Sequence, residues 1–195
     1  MTPATPALST GTRRRRYDPE RRDRIIDACL DVVAEHGVAG TTHRRVAEAA
    51  DVPLGSMTYH FAGMDELLRE AFGRFAEQAA AQFERRMVDA PTREAAVHAV
   101  VRLITLDVFA TQRDLVLSHE LYTLAARDPA FRPLTNAWMR RSRDALGHHF
   151  DPATCRVLDA FIEGMTIHRA LDTEPHGSDE VVRAVDLLTR APARD

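Results

Sequence analysis

The sequence predicts an all-α protein with a small N-terminal three-helix module and a larger helical domain behind it. Helix-forming residues predominate, whereas aromatic residues make up only 6% of the chain, a composition that favours helices over sheets. Apolar residues recur at helical spacing, and prolines and glycines interrupt the pattern. Because 45% of the 195 residues are hydrophobic, the chain can bury a substantial core. We place a disordered arm at 1–18, the module at 19–63 and the larger domain at 64–195.

The predicted arm is rich in Pro, Thr, Ala and Ser, and it ends in a run of four arginines at 13–16. Such a run is either a solvated, self-repelling segment or one that orders on the phosphates of a nucleic acid. The net charge of −3 argues against a uniformly basic coat, so the distribution of charge matters more than its sum. All 26 basic residues are arginine, which we interpret as a genomic bias.

Several classes of protein are excluded by simple patterns. No uninterrupted apolar run of about 18 residues is present, so we expect no membrane partner. No hydrophobic segment follows the N-terminal charges, so we expect no secretory signal. Cys29 and Cys155 are isolated thiols and do not form a disulfide framework. We therefore expect a cytoplasmic protein.

The module begins with an amphipathic helix that Gly37 should end. Thr41-Thr42 offers a cap for a short second helix, HRRVAEAA, and Pro53 favours a new start for a third, LGSMTYHF. Helices this short are stable only when packed on the first one. The residues expected in this core are Ile25, Ile26, Cys29, Leu30, Val33, Val46, Ala47, Val52, Met57 and Phe61.

After Gly63 the pattern changes to long helices whose boundaries are marked by prolines. We predict helices near 64–89, 92–110, 113–127, 130–149, 152–172 and 178–191.

A short helix, a tight turn and a second short helix with polar side chains form a helix-turn-helix. The second helix must be slim and exposed to enter the major groove of DNA, which is roughly 12 Å wide. Gly55 would let the backbone approach closely, while Ser56, Thr58, Tyr59 and His60 would contact bases and phosphates. His60 has the alternative role of a local helix cap.

The stretch RRDRIIDACLDVVAEHGVAGTTHRRVAEAADVPLGSMTYHFAGMDELLREAF resembles the N-terminal domain of the tetracycline-repressor-like (TetR) family of bacterial transcription regulators. The resemblance is carried by G-x-x-x-T-T-x-R-x-V-A from Gly37 to Ala47, then Gly55-Ser56, His60-Phe61 and Asp65-Glu66-Leu67-Leu68. It implies a homodimer that binds double-stranded DNA at a palindromic operator. It also implies a larger domain for dimerisation and for a small-molecule effector.

Carried over by position, the resemblance implies a set of DNA contacts. Thr42 would meet phosphate, Arg44 a base edge or phosphate, and Arg45 a phosphate. Bases would be read by Leu54, Gly55 and Thr58, and phosphates held by Ser56, Tyr59 and His60. Thr58 stands where the family usually has tyrosine, so base contact is expected to have moved toward Tyr59.

A regulator of this kind needs a hollow in its larger domain. The candidate ligand contacts are His98, Arg102, Thr105, Phe109, His119, Glu120, Tyr122, Trp138 and His168. Arg102 suggests either an anionic ligand or an internal ion pair with Glu120. The histidines lack metal-ligand spacing, so we expect no metal, and we expect no cofactor. No nucleophile elbow, phosphate loop or dinucleotide fingerprint is present, so we expect no enzyme.

The last two predicted helices carry strongly apolar stripes, which the resemblance assigns to a four-helix dimer interface. The interface candidates are Leu158, Phe161, Ile162, Met165, Val181, Val185 and Leu188. The alternative is that these stripes face the chain's own core. The expected function is a repressor released by a small molecule, and the competing hypothesis is a helical binding or scaffold protein without operator binding.

Overall fold

The computed structural model describes residues 18–107, 111–174 and 177–190, and within these ranges all regular structure is helical. This confirms the all-α prediction. The arginine run of the predicted arm and Phe109 lie outside the described residues. The helices are α1 (Arg21–Gly40), α2 (His43–Ala49), α3 (Gly55–His60), α4 (Met64–Val88), α5 (Arg93–Arg102), a π-turn (Leu103–Asp107), α6 (Gln112–Arg127), a 3-10 turn (Pro129–Phe131), α7 (Arg132–Leu146), α8 (Pro152–Leu171) and α9 (Ser178–Thr189).

Helix α1 bends at Gly37 and does not end there, contrary to the prediction. Gly37 has φ 68° and ψ 169°, a conformation that is essentially restricted to glycine. The Thr41 hydroxyl donates to the Gly37 carbonyl at 2.8 Å, so the bend is tied to the residue just before Thr42, the N-cap of α2. The end of α1 therefore sets where the helix-turn-helix begins.

The two short helices form as predicted. The Thr42 side chain accepts the Arg45 backbone N–H at 3.3 Å, which caps α2. In the following turn Asp51 has φ 50°, a left-handed conformation that Asp tolerates better than most residues. The Val52 N–H donates to the Ala47 carbonyl at 2.9 Å, and α3 starts two residues beyond Pro53.

A first core joins α1, α2 and α3 to the first half of α4, to α6 and to Phe131. Cys29 is fully buried in it, as predicted, and burial raises the pKa of its thiol to about 12. Phe61 is only 2% exposed, and the Arg22 guanidinium lies 5.1 Å from its ring centre. Arg22 also pairs with Glu70 of α4. The three-helix module is therefore packed into the larger domain and not merely joined to it.

Ion pairs add to this connection on the surface of α1. Arg74 of α4 pairs with Asp23 and, at 2.8 Å, with Asp27. Arg113 of α6 pairs with Asp31 at 2.8 Å. The three aspartates are spaced four residues apart, so one face of α1 holds both neighbouring helices.

A second core is formed by the end of α4 with α5, the π-turn, α7, α8 and α9. Arg141 of α7 donates two hydrogen bonds of 2.6 Å to Glu84 of α4, and this hydrogen bonding holds the pKa of Glu84 below its usual value. In the described ranges, no helix is both long and apolar enough to cross a bilayer.

The predicted helix at 92–110 is interrupted. Regular α-helix ends at Arg102 and the π-turn follows. The Thr105 hydroxyl donates back to the Val101 carbonyl at 2.8 Å, a bond of the kind that often bends helices. Leu103, Ile104 and Thr105 are all buried, which a straight amphipathic helix would not produce.

Candidate DNA-binding surface and ligand cavity

The starts of α2 and α3 meet at an open concavity. It is lined by Thr42, His43, Arg44, Leu54, Gly55 and Thr58. Five of these six residues were predicted as DNA contacts, and His43 was not. The turn at Asp51 is what brings the two helix starts together, because it reverses the chain within a few residues.

The outer face of α3 is directed into solvent. Tyr59 is 77% exposed and Leu54 is 55% exposed, whereas Met57 is fully buried beneath them. An added Cβ at Gly55 would meet nothing within 4 Å, so this position is open to close approach from outside. The helix thus presents large side chains and bare backbone to the same side.

Ser56 is the exception among the predicted contacts on α3. It is only 8% exposed, and its backbone N–H donates to the Pro53 carbonyl at 2.8 Å. The structure therefore places it inside the turn and away from the outer surface.

Arg45 and His60 lie at the edges of this surface. The Arg45 guanidinium donates to the Gly40 carbonyl, so it is held against the end of α1. The His60 ring contacts that of Tyr59 edge-on, with centroids 4.8 Å apart. Burial, followed by repulsion from Arg21 and Arg22, lowers the pKa of His60. The imidazole is therefore neutral near pH 7 and can donate a hydrogen bond without adding charge.

A cavity of about 270 Å³ lies among α4, α6, α7 and α8, near the lower end of the range for small-molecule sites, roughly 300–1,000 Å³. Four aromatic side chains line it, namely Phe75, Phe83, Tyr122 and Trp138. The Tyr122 and Trp138 rings stack with centroids 6.2 Å apart and planes inclined by 19°. Phe75 completes the aromatic packing, because its ring meets that of Trp138 edge-on with centroids 5.7 Å apart.

Of the predicted ligand contacts that the structure describes, Tyr122 and Trp138 line this cavity. His98, Arg102 and His168 are exposed, the Thr105 hydroxyl is bonded to its own helix, and His119 Nδ1 lies 2.7 Å from the Leu115 carbonyl. The proposed Arg102–Glu120 pair is wrong. Glu120 Oε2 instead accepts the Val38 backbone N–H at 2.9 Å, just after the bend in α1.

The prediction missed the polar groups that do line the cavity. Asp159, Glu163 and Thr166 lie on one face of α8, and Ser118 lies one turn before Tyr122 on α6. The spacing of four and then three residues along α8 was the available signal. The apolar stripe of α8, which predicts a dimer interface, runs beside these residues and outweighs that signal.

Two side chains that line the cavity, those of Asp159 and Tyr122, have strongly shifted pKa values. Burial raises the pKa of Asp159 to about 6, with Arg143 opposing the shift and Glu163 adding to it. The Arg143 guanidinium lies 3.4 Å from Asp159 Oδ2. Burial, followed by the charge of Glu163, also raises the pKa of Tyr122, whose hydroxyl is hydrogen-bonded to Glu163.

The predicted dimer interface divides into two sets. Four of its residues fill the chain's own core and are at most 8% exposed: Leu158, Ile162, Val181 and Val185. Three are half-buried: Phe161, Met165 and Leu188. The apolar side chains that α8 and α9 expose are different ones, namely Val157, Leu171, Val182 and Leu187.

Among the described residues, no group of three or more His, Cys, Asp or Glu side chains could hold a metal ion.

A helix-turn-helix with a solvent-facing second helix, packed on a helical domain with a cavity, is the architecture of a DNA-binding transcription regulator.

The chain belongs to the TetR family. The profile described as "Bacterial regulatory proteins, tetR family" matches residues 25–71, and "Tetracyclin repressor-like, C-terminal domain" matches residues 91–191. This confirms the resemblance seen in the sequence, and the regulators of this family are transcription factors, not enzymes. They bind DNA, typically as dimers.

Solved structures and a sequence relative agree with this assignment. The transcriptional regulator SCO7518 from Streptomyces coelicolor A3(2) is 54% identical with a TM-score of 0.85, covering 89% of this chain and 100% of that one. The multidrug binding protein EbrR, complexed with ethidium, is 35% identical with a TM-score of 0.75, covering 88% of this chain and 100% of that one. EbrR has also been solved with proflavin and with malachite green. The regulator BetI of Paraburkholderia phymatum is 25% identical over 181 residues, which cover 86% of this chain and 92% of that protein.

Proposed function

We propose that this regulator binds a palindromic operator as a homodimer and is released from it by a small-molecule effector. The observation that carries the proposal is the outer face of α3, where Tyr59 and Leu54 are 77% and 55% exposed on a helix that the first core holds rigidly. Large exposed side chains that cluster on one surface commonly mark a binding site. Repression is the simplest mode of action, since a dimer without an activation surface can act by blocking polymerase.

The DNA contacts follow from the concavity at the starts of α2 and α3. Leu54, Gly55, Thr58 and Tyr59 are placed to read base edges in the major groove. Thr42, Arg44, Arg45 and His60 surround them and would bind phosphates, with Arg44 also within reach of a base. Ser56 is left out of this set because it is buried.

Dimerisation would use the exposed face of α8 and α9. Val157, Phe161, Gly164, His168 and Leu171 recur at spacings of three and four residues along α8, which places them on one face. An added Cβ at Gly164 would meet nothing within 4 Å, so a partner helix could approach closely there. Leu187 of α9 is 63% exposed and would extend the apolar surface. A second copy of this face would bury side chains that otherwise remain in water.

Release from DNA would follow from the two helices that connect the cavity to the DNA-binding helices. Phe75 and Phe83 line the cavity from α4, and α4 directly follows α3. Helix α6 contributes Ser118 and Tyr122 to the cavity, while its Glu120 binds the backbone at the bend of α1. A ligand that prefers a shifted position of these helices would alter the spacing of the two α3 helices in a dimer.

Operator binding can be tested with DNA selected from a random library on the full-length protein. Fluorescence anisotropy would then compare Tyr59→Ala and Arg44→Ala with Arg140→Ala, which removes an exposed arginine of α7. We expect the first two variants to lose roughly 5- to 150-fold in affinity for the selected DNA, since a good base contact contributes about 1–3 kcal/mol. The control should bind normally.

The outcome also separates this function from that of a scaffold. If no sequence is enriched, or if Tyr59→Ala and Arg44→Ala both bind the selected DNA like the parent, α3 does not enter the groove and the proposal is wrong. A palindrome in the selected DNA is expected, because a two-fold symmetric dimer presents two identical α3 helices.

A further inference from the structure

The shape of the cavity favours a flat ligand. Tyr122 and Trp138 stack with nearly parallel planes, and Phe75 closes the far side of Trp138 edge-on. Aromatic faces of this kind attract other flat rings and, because the faces are electron-rich, also attract cations.

Two carboxylates stand beside these rings. Asp159 and Glu163 are one turn apart on α8 and both line the cavity. Glu163 lies close to the phenol of Tyr122, since it contributes to the raised pKa of that phenol, so the negative charge of Glu163 stands beside an aromatic wall. Arg143 offsets part of the charge of Asp159 from 3.4 Å away, but Arg143 does not itself line the cavity.

The remaining charged groups at the cavity come from α4 and from the start of α6. They are Arg86, Arg113 and Asp114. Arg113 is paired with Asp31 on α1 at 2.8 Å, and Asp114 accepts the Thr111 hydroxyl at 2.8 Å. Arg113 and Asp114 are therefore engaged with groups outside the cavity lining. The other charged groups of the lining are the cationic Arg86 of α4, which has an interaction partner of its own, and the two carboxylates of α8.

Ser118 provides an independent sign of a ligand. It is 1% exposed, it lines the cavity, and its hydroxyl finds no hydrogen-bond partner among the described residues. Buried hydroxyls in folded proteins are nearly always bonded. A ligand with a polar nitrogen on its ring system would supply the missing partner.

We propose that the cavity binds a flat aromatic cation bearing an N–H or ring nitrogen, with Glu163 and Asp159 facing its charge and Ser118 bonding its nitrogen. The ligand class rests on the proposed function, in which a small molecule occupies this cavity. It assigns the charge recognition to α8, one of the two helices that would carry the dimer interface.

The test measures binding of two tricyclic probes to the full-length protein without any DNA present. Proflavin carries a positive charge at neutral pH, and acridone has the same ring size but is neutral. Fluorescence titration should show proflavin bound at least about tenfold more tightly than acridone, because charge-assisted contacts in a buried site are strong. Equal affinity for the two probes would overturn the proposal without the need for any variant.

Variants then locate the charge. Glu163→Gln should weaken proflavin binding about tenfold and leave acridone binding little changed, whereas Glu163→Asp should retain most of the preference for proflavin. Glu94→Gln, at an exposed position of α5, is the matched control and should behave like the parent. Circular dichroism melting would verify that each variant folds. Parent-like proflavin affinity in Glu163→Gln would overturn the assignment.

The two proposals fail in different ways. Charge-dependent binding of proflavin by a protein that selects no DNA would refute operator binding alone. Selection of a palindrome by a protein that binds neither probe, or both equally, would refute the cation site alone.

Discussion

Replacing Gly37 with alanine should destabilise the protein through two separable effects. The first is backbone strain, because φ 68° and ψ 169° are essentially closed to residues with a Cβ and cost about 1–3 kcal/mol. The second is a collision, because the new Cβ would lie 3.0 Å from Glu120 Oε1. To avoid it the Glu120 side chain must shift by a few tenths of an ångström, which would weaken the 2.9 Å bond that its Oε2 accepts from the Val38 N–H.

The second effect is at most the value of the bond that is weakened. A hydrogen bond to a charged group contributes about 1.5–3 kcal/mol. Gly37→Ala should therefore cost from about 1 kcal/mol, the lower value of the strain alone, up to about 6 kcal/mol, the strain plus the whole bond. Glu120→Ala alone should cost about 1.5–3 kcal/mol, and in that background Gly37→Ala should add only the strain. The double mutant should then be more stable than the sum of the single effects predicts, by up to the value of the bond.

Urea unfolding of the four proteins would measure this coupling. A second cycle with Glu48→Ala, an exposed residue of α2, is the control and should be additive with Gly37→Ala. Additive free energies in the Glu120 cycle would show that the carboxylate does not hold the bend of α1, and the connection from α6 to the helix-turn-helix would have to be abandoned.

Three further predictions concern the cavity and the dimer. Because burial raises the pKa of Asp159 to about 6, this carboxylate is protonated below that pH, so proflavin affinity should rise between about pH 5 and pH 7 and release a proton in the lower part of that range. Ser118→Ala should leave the ligand-free protein as stable as the parent or about 1 kcal/mol more stable, since it removes an unbonded buried hydroxyl, but it should weaken proflavin binding. Leu187→Asp should give folded monomers by light scattering, whereas Val185→Asp should unfold the chain because Val185 is fully buried.

Each of these has its own control. The pH dependence should flatten in Asp159→Asn, and an unchanged profile would remove Asp159 from the site. Thr135→Val deletes a buried hydroxyl that is bonded to the Arg132 carbonyl at 3.1 Å, so it should lower stability where Ser118→Ala does not. A dimeric Leu187→Asp would place the interface elsewhere, and a folded Val185→Asp would contradict the packing of α9.

Much of the fold was predictable because local signals marked its boundaries. Thr42 caps α2 as expected, and the prolines fall at or near the starts of α7 and α8. The π-turn after Arg102 was not predictable, because hydrophobic spacing assumes regular helix and a shift to π geometry changes which residues face inward. The bend at Gly37 was read as an end, since glycine serves both purposes equally well.

The two candidate sites were predictable to different degrees. On α3 the exposed residues follow from a short motif, and only Ser56 was misplaced. Which residues line the cavity depends on which face of each long helix turns inward. A stripe of mixed polar and apolar residues, such as that of His98 and Arg102, does not predict that face. The acidic residues of α8, Asp159 and Glu163, directly follow Leu158 and Ile162, which are both buried. Treating α8 as a helix with a single apolar face therefore does not predict that its acidic residues also turn inward.

The position of α6 between two partners constrains how related regulators can diverge. One face of α6, with Leu117 and Leu121, is buried against α1 in the first core, while Ser118 and Tyr122 turn to the cavity. Changes at the second pair can alter the recognised molecule without disturbing the DNA-binding helices. Changes at the first pair alter the volume beneath α1, and they must be matched by substitutions in the three-helix module. Exchanging the N-terminal modules of two such regulators at residue 63 would therefore mismatch this packing, and a viable chimera would need to carry its own α6 face with it.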